Sequence, residues 1–248
     1  MLSPPQVAET AAPVVAQTAG TAGLAVPQTA ALTRPAIQYR LLICSAVLLL
    51  AVIAERWLLA SHLFPGDRWA AAVGMSHKSW PVWDITRIYQ QVGRPLVAIG
   101  EVAVMLAWLW RRAGRRETQG LLIVMLASAS CGVIKILCGP TPLWMVLDHH
   151  VGTNFPSGVV TFMTATVGYV AVVAWRLGHR AVPIALTLAI LGSGPARILG
   201  GQHLISDVLG AYMLGLAWLL LACVYLVAPQ RRGRQQAAWA MPSFETLD

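Results

Sequence analysis

The stretch His203-LISDVLGAYMLGLAWLLLACVYL-Val227 opens on a histidine and an aspartate and then runs uncharged for the length of a bilayer crossing. A spanning helix needs about 20 predominantly apolar residues. This segment therefore reads as a transmembrane helix with its polar residues gathered at one end. Working outward, five further apolar stretches precede it, at about 41–63, 96–110, 120–138, 157–175 and 181–196. The second and fifth are the shortest and must recruit flanking residues to cross. The expected fold class is all-α, an integral membrane bundle of six transmembrane helices.

Composition agrees. The chain has 248 residues, 57% hydrophobic and 11% charged, with a mean hydropathy of +0.63. Soluble globular domains carry roughly 25% charged residues, so an ordinary cytosolic enzyme is excluded. The net charge of +8 does not argue for a nucleic-acid partner, because the basic residues fall in short clusters beside apolar stretches rather than on one soluble face. Cys44, Cys131, Cys138 and Cys223 lie in or beside apolar segments without CxxC or Cys/His ligand spacing, and read as small buried apolar residues.

Residues 1–38 are rich in Ala, Pro, Thr, Val and Gln and read as a flexible tail without the basic start of a signal peptide. Residues 39–228 hold the membrane domain, and 229–248 a basic C-terminal tail. Arg111, Arg112, Arg115 and Arg116 follow the second stretch, Arg176 and Arg180 the fourth, and Arg231, Arg232 and Arg234 the sixth. With six spans these clusters share one face with Arg34 and Arg40, and the positive-inside rule makes both termini cytoplasmic. The 65–95 connection, with Trp69, Trp80, Trp83 and Tyr89, reads as an interfacial segment on the opposite face.

Ionisable residues at membrane depth are costly and point to function. Lys135 ends the third stretch, Arg197 follows the fifth, and His203 and Asp207 open the sixth. The assigned topology puts all four near the outer face. His203 and Asp207 are four residues apart, so on a helix they share a face, where a carboxylate can hold an imidazole in one tautomer. Lys135 and Arg197 offer positive charge to an anion, and arginine binds phosphate bidentately. Ser157 and Gly158, opening the fourth stretch after Pro156, offer a hydroxyl and unpaired amides at a helix start, either an anion site or a simple cap. Glu55 beside Arg56 reads as a pair snorkelling to the interface, while Glu101 would need a basic neighbour. Gly192, Gly194, Gly200 and Gly201 read as close-packing and turn positions.

The run Arg197-Ile-Leu-Gly-Gly-Gln-His203-Leu-Ile-Ser-Asp207 resembles the third motif of the phosphatidic acid phosphatase type 2 superfamily of membrane lipid phosphatases. Phe155-Pro-Ser-Gly158 resembles its second motif, and Lys135-Ile-Leu-Cys-Gly-Pro-Thr-Pro142 its first; order and spacing match over about residues 40–227. The resemblance implies a phosphatase that attacks a lipid phosphate or diphosphate with His203, forming a phosphohistidine. Asp207 would orient the nucleophile, and Lys135, Ser157, Gly158 and Arg197 would bind the phosphoryl oxygens. It implies no metal and no cofactor. The partners expected are membrane lipids and a lipid phosphate or polyprenyl diphosphate substrate, and the location expected is the plasma membrane with the site extracytoplasmic.

Three positions depart from the pattern. Val159 replaces the second-motif histidine that serves as general acid, Thr141 stands where the first motif carries an arginine, and Ala196 replaces the serine before Arg197. Losing a general acid costs on the order of 10²–10⁴-fold in rate. That loss matters least when the leaving group is itself a phosphate, which favours a diphosphate substrate. His149 or His150, in the preceding loop, is a candidate replacement acid. The alternative expectation is a silenced relative that binds lipid phosphate headgroups without turnover.

Overall fold

The computed structural model describes residues 34–61, 64–76, 82–138 and 155–228. The described residues form helices α1 (Arg34–Ser61), α2 (Asp67–Ser76), α3 (Val82–Val92), α4 (Pro95–Arg112), α5 (Arg115–Cys138), α6 (Gly158–Phe162), α7 (Gly168–Arg176), α8 (Ala181–Leu199) and α9 (Ile205–Val227). A π-helical turn, Met163–Val167, joins α6 to α7, so the two make one rod. Helix α1 begins at Arg34, inside the stretch read as tail.

Five helical segments are long and apolar enough to cross a membrane: 35–58, 115–137, 158–176, 181–199 and 205–227. The second apolar stretch corresponds to α4, which passes as a crossing segment only together with α3, across a 69° bend at Gly93 and Arg94. The described residues thus hold five crossing helices, or six where this bent pair counts as one span. The bend has a local cause, because Pro95 at the start of α4 disfavours a helical conformation in the residue before it.

Among the described residues, α9 packs chiefly against α1 and α5, and the α6–α7 rod is the most enclosed span. Lipid tails are as apolar as leucine, so helices in a bilayer associate through close packing and small residues rather than through hydrophobic exclusion from water. Glycines mark the closest approaches. A Cβ on Gly215 would lie 2.6 Å from Thr164 Cβ, and one on Gly194 would lie 2.6 Å from Val208 Cγ1. One on Gly120 would overlap the Tyr169 hydroxyl, which donates to the Glu117 carbonyl at 2.8 Å.

The 65–95 connection holds two helices. Helix α3 exposes Ile85 and Ile88 while burying Thr86, an amphipathic division suited to a membrane surface. Both α2 and α3 dock on α8: Gly74 against Gly201, Thr86 against Gly200, and the Tyr89 hydroxyl onto the Ala189 carbonyl at 2.9 Å. The close-packing roles expected for Gly192, Gly194, Gly200 and Gly201 are borne out, and Gly201 adopts φ +67, a turn conformation that favours glycine.

Two expectations are corrected. Glu55 does not snorkel: its side chain is buried between α1 and α9, close to Gly210, and its Oε2 has no hydrogen-bond partner among the described residues. Helix α1 presents that face to α9 rather than to lipid. Cys131 is buried as expected, but Cys44, in α1, is exposed. Glu101 is without a basic partner among the described residues, and its Oε2 is buried and unpaired.

Candidate active site

The turn between α8 and α9 brings Arg197 and His203 together. Arg197 Nη2 lies 3.2 Å from His203 Nε2, and His203 Nδ1 lies 3.3 Å from Asp207 Oδ2. A guanidinium has only donors, so Nε2 must be the acceptor of that contact. The proton then resides on Nδ1, facing Asp207. The tautomer is the one a nucleophile needs, with the Nε2 lone pair directed at the cation that would hold an anion.

Asp207 has a second task. It sits in the first turn of α9, and its Oδ2 also accepts the Leu204 amide at 3.0 Å, closing that turn onto the histidine. His203 and Asp207 are both buried, at 5% and 3% exposure. Burial holds the His203 imidazole below its ordinary pKa of 6.5; Asp207 opposes that shift, and the Arg197 and Lys135 charges add to it.

The start of α6 joins the same place. The Ser157 amide donates to the Asp207 carbonyl at 3.0 Å, and the Ser157 carbonyl accepts from Thr161 N and Oγ1 at 3.0 and 2.9 Å. The Ser157 hydroxyl has no partner among the described residues although Ser157 is fully buried. A plain cap would use that oxygen on the helix amides. Ser157 makes no such bond, and the cap reading fails on it. Lys135, at the end of α5, brings Nζ to 3.7 Å from the point where a Cβ on Gly158 would lie, and buried Cys131 donates its thiol to the Pro156 carbonyl at 3.5 Å.

Six of the residues singled out from the sequence are therefore joined by contact or close approach, in two groups linked through the backbone: Arg197, His203 and Asp207 on one side, Ser157, Gly158 and Lys135 on the other. Two buried polar atoms there are unpaired among the described residues, Ser157 Oγ and Arg197 Nε. Buried polar groups are normally satisfied, and an anion accepting from both would satisfy these. Thr141, His149 and His150 lie outside the described residues.

Val159 lies elsewhere. Its side chain packs with Phe162 and Met163 against Tyr89, Val92 and Val102, and a Cβ on Gly93 would overlap its Cγ2. The position where the sequence resemblance would put a general acid thus makes an apolar contact with the α3–α4 bend.

Two neighbours escaped the sequence reading. Asp67, the first residue of α2 and 1% exposed, accepts the Ser206 amide at 3.0 Å and the Ser206 hydroxyl at 2.8 Å. Gly74 touches the turn before His203. The only local signal was an acid following Pro65-Gly66 at a helix start, which does not reveal a partner so distant in the chain.

This arrangement of helices has the fold of a membrane phosphatase of PAP2 type. A solved structure of similar fold is that of the first transmembrane PAP2 type phosphatidylglycerolphosphate phosphatase from Bacillus subtilis, with a TM-score of 0.63 and 18% sequence identity, covering 75% of this chain and 98% of that one. The likeness is one of fold. No protein-family model matches the chain, and no curated protein matches it by sequence.

Proposed function

We propose that the chain is an integral membrane phosphatase that hydrolyses a lipid phosphate or diphosphate through a phosphohistidine on His203. The observation that carries this is the Arg197–His203–Asp207 contact chain, which presents an unprotonated Nε2 beside a guanidinium. In the first step the Nε2 lone pair attacks phosphorus, an N–P bond forms, and the bond from phosphorus to the leaving oxygen breaks. In the second, water attacks phosphorus, the N–P bond breaks, and inorganic phosphate leaves with His203 restored. Arg197, Lys135, the Ser157 hydroxyl and the Gly158 amide bind the phosphoryl oxygens, and such fixed donors supply much of the transition-state stabilisation in phosphoryl transfer.

With Val159 in place of an acid, the leaving oxygen gains no proton from that position. A phosphate leaving group needs it least, so a polyprenyl diphosphate is the favoured substrate over phosphatidic acid. His149 and His150 are the candidate acids for slower leaving groups. The site faces the extracytoplasmic side of the plasma membrane, with both termini cytoplasmic. The test is metal-free phosphate release by the purified protein in detergent on a polyprenyl diphosphate and on phosphatidic acid, with His203→Ala as control. Release abolished by His203→Ala supports the proposal; equal or faster turnover of phosphatidic acid counts against the diphosphate preference.

One observation favours a second reading, a binder of lipid phosphate headgroups without turnover: the apolar packing of Val159 where an acid would stand. Asp207 weighs against it, because a carboxylate near an anion site weakens simple binding while serving a nucleophilic histidine. Headgroup binding by wild type without phosphate release would establish that second reading.

A further inference from the structure

The first turn of α9 holds Ser206 and Asp207, and His203 lies just before it. The first amides of any helix lack intrahelical partners, and a helix start buried among other helices must find them elsewhere. Asp207 takes the Leu204 amide. The Ser206 amide is taken by Asp67, a residue of α2 separated from it by 139 positions, and the same carboxylate also takes the Ser206 hydroxyl. Both side chains are almost wholly buried, so water does not replace these bonds. Helix α2 touches the turn at its other end too. A Cβ on Gly74 would lie 2.6 Å from Gly201 Cα and 3.0 Å from the Ile198 carbonyl, just after Arg197. One short helix thus bears on the turn at two points, Gly201 between Arg197 and His203, and Ser206 between His203 and Asp207.

We propose that Asp67 is a positioning residue of the active site, holding the first turn of α9 through Ser206 so that His203 stays aligned on both Arg197 and Asp207. The inference rests on the phosphatase reading above. Asp67 makes no hydrogen bond to His203 or the anion site; its bonded link to the site runs through Ser206, beside a charge interaction with Asp207. Misplacing reacting groups by about 1 Å can cost on the order of 100-fold in rate. Asp67→Ala removes both bonds. Asp67→Asn keeps both in altered form, since its carboxamide oxygen accepts the Ser206 amide and its NH₂ donates to the Ser206 hydroxyl.

The experiment measures kcat and KM of the full-length protein in detergent, on whichever of the two lipids the wild type turns over, together with deuterium exchange at the Ser206 amide. Asp67→Ala is expected to lower kcat by about tenfold or more with KM within about twofold, and to speed Ser206 exchange by a similar factor. Asp67→Asn is expected to recover most of the kcat. Wild-type kcat in folded Asp67→Ala overturns the proposal. So does an Asp67→Asn as slow as Asp67→Ala, which would mean that Asp67 acts through its charge or its proton. If Asp67→Ala does not fold, Ser206→Ala removes the hydroxyl bond from the other side, and wild-type kcat in that variant overturns it equally. A wild type without turnover on either lipid removes the phosphatase reading alone. The exchange comparison then decides: Ser206 protection that depends on Asp67 supports the link, and equal exchange overturns it.

Discussion

The amide of Ser157 donates to the main-chain carbonyl of Asp207 at 3.0 Å, so the head of α6 and the first turn of α9 are joined backbone to backbone. The start of α6, with Ser157 and Gly158, is therefore tied to the turn that carries Asp207 independently of their side chains. Helix α6 is continuous with the most enclosed span and α9 lies against α1 and α5. The site is built at the ends of packed helices and the turn between α8 and α9.

Ser157→Ala separates stability from function. The Ser157 hydroxyl is buried and bonds to nothing among the described residues, so its removal relieves an unsatisfied group and leaves thermal stability unchanged or raised. Phosphate release is expected to fall by about 10- to 100-fold in kcat/KM, because one oxygen-binding donor is lost. A parallel drop in Tm would show that the hydroxyl has a structural partner.

Asp207→Asn is expected to lower kcat by about 10²-fold or more, with the protein still folded. A carboxamide can present its NH₂ to Nδ1, which would move the proton to Nε2 and remove the attacking lone pair. Single-turnover kinetics with His203→Ala as the floor checks this.

Acid should reduce stability before it silences His203. Burial holds the folded imidazole below 6.5, against the opposing pull of Asp207. The unfolded chain therefore binds a proton near pH 6.5 that the folded chain refuses, and stability rises with pH across this window. The contribution is fully present above 6.5 and is lost as pH falls toward the folded value. The acid limb of kcat/KM is expected below 6.5 for the same reason, as a pH–rate profile would show.

Val159→His is not expected to restore a general acid. Val159 is packed between Phe162, Met163 and the α3–α4 bend at Gly93, so a larger side chain overpacks that contact at a cost of about 1–3 kcal/mol. The measurement is a lowered Tm without a gain in phosphatidic acid turnover. A gain would mean that the bend yields.

Gly215→Ala tests the packing of the bundle. Its Cβ would lie 2.6 Å from Thr164 Cβ and 3.0 Å from the Thr161 carbonyl, which is backbone and cannot turn aside. Destabilisation by about 1–3 kcal/mol is expected, read as a lower Tm in detergent.

Much of this was legible along the chain. Spans are long apolar runs, and five of the six stretches read from hydropathy are helices of crossing length. His203 and Asp207 do pair, but not on a shared helix face: His203 precedes α9, and the extended Leu204, bonded through its amide to Asp207, brings the two together. The α3–α4 bend was less legible, since Pro95 marks a boundary but not whether the pieces make one span. Glu55 was misread because an acidic residue near a helix end carries no record of which face its helix turns inward.

The sequence by itself determined that this is a multi-helix membrane protein, and which residues could carry phosphoryl chemistry, because hydropathy and helical spacing are properties of about 20 consecutive residues or fewer. Tertiary structure alone decided what those residues meet: Ser157 on the Asp207 carbonyl, Asp67 on Ser206, Glu55 inside the bundle, and Val159 against Gly93. Each joins positions far apart in the chain. Small-residue packing and buried hydrogen bonds between helices leave no periodic trace in either partner, so only the folded bundle specifies them.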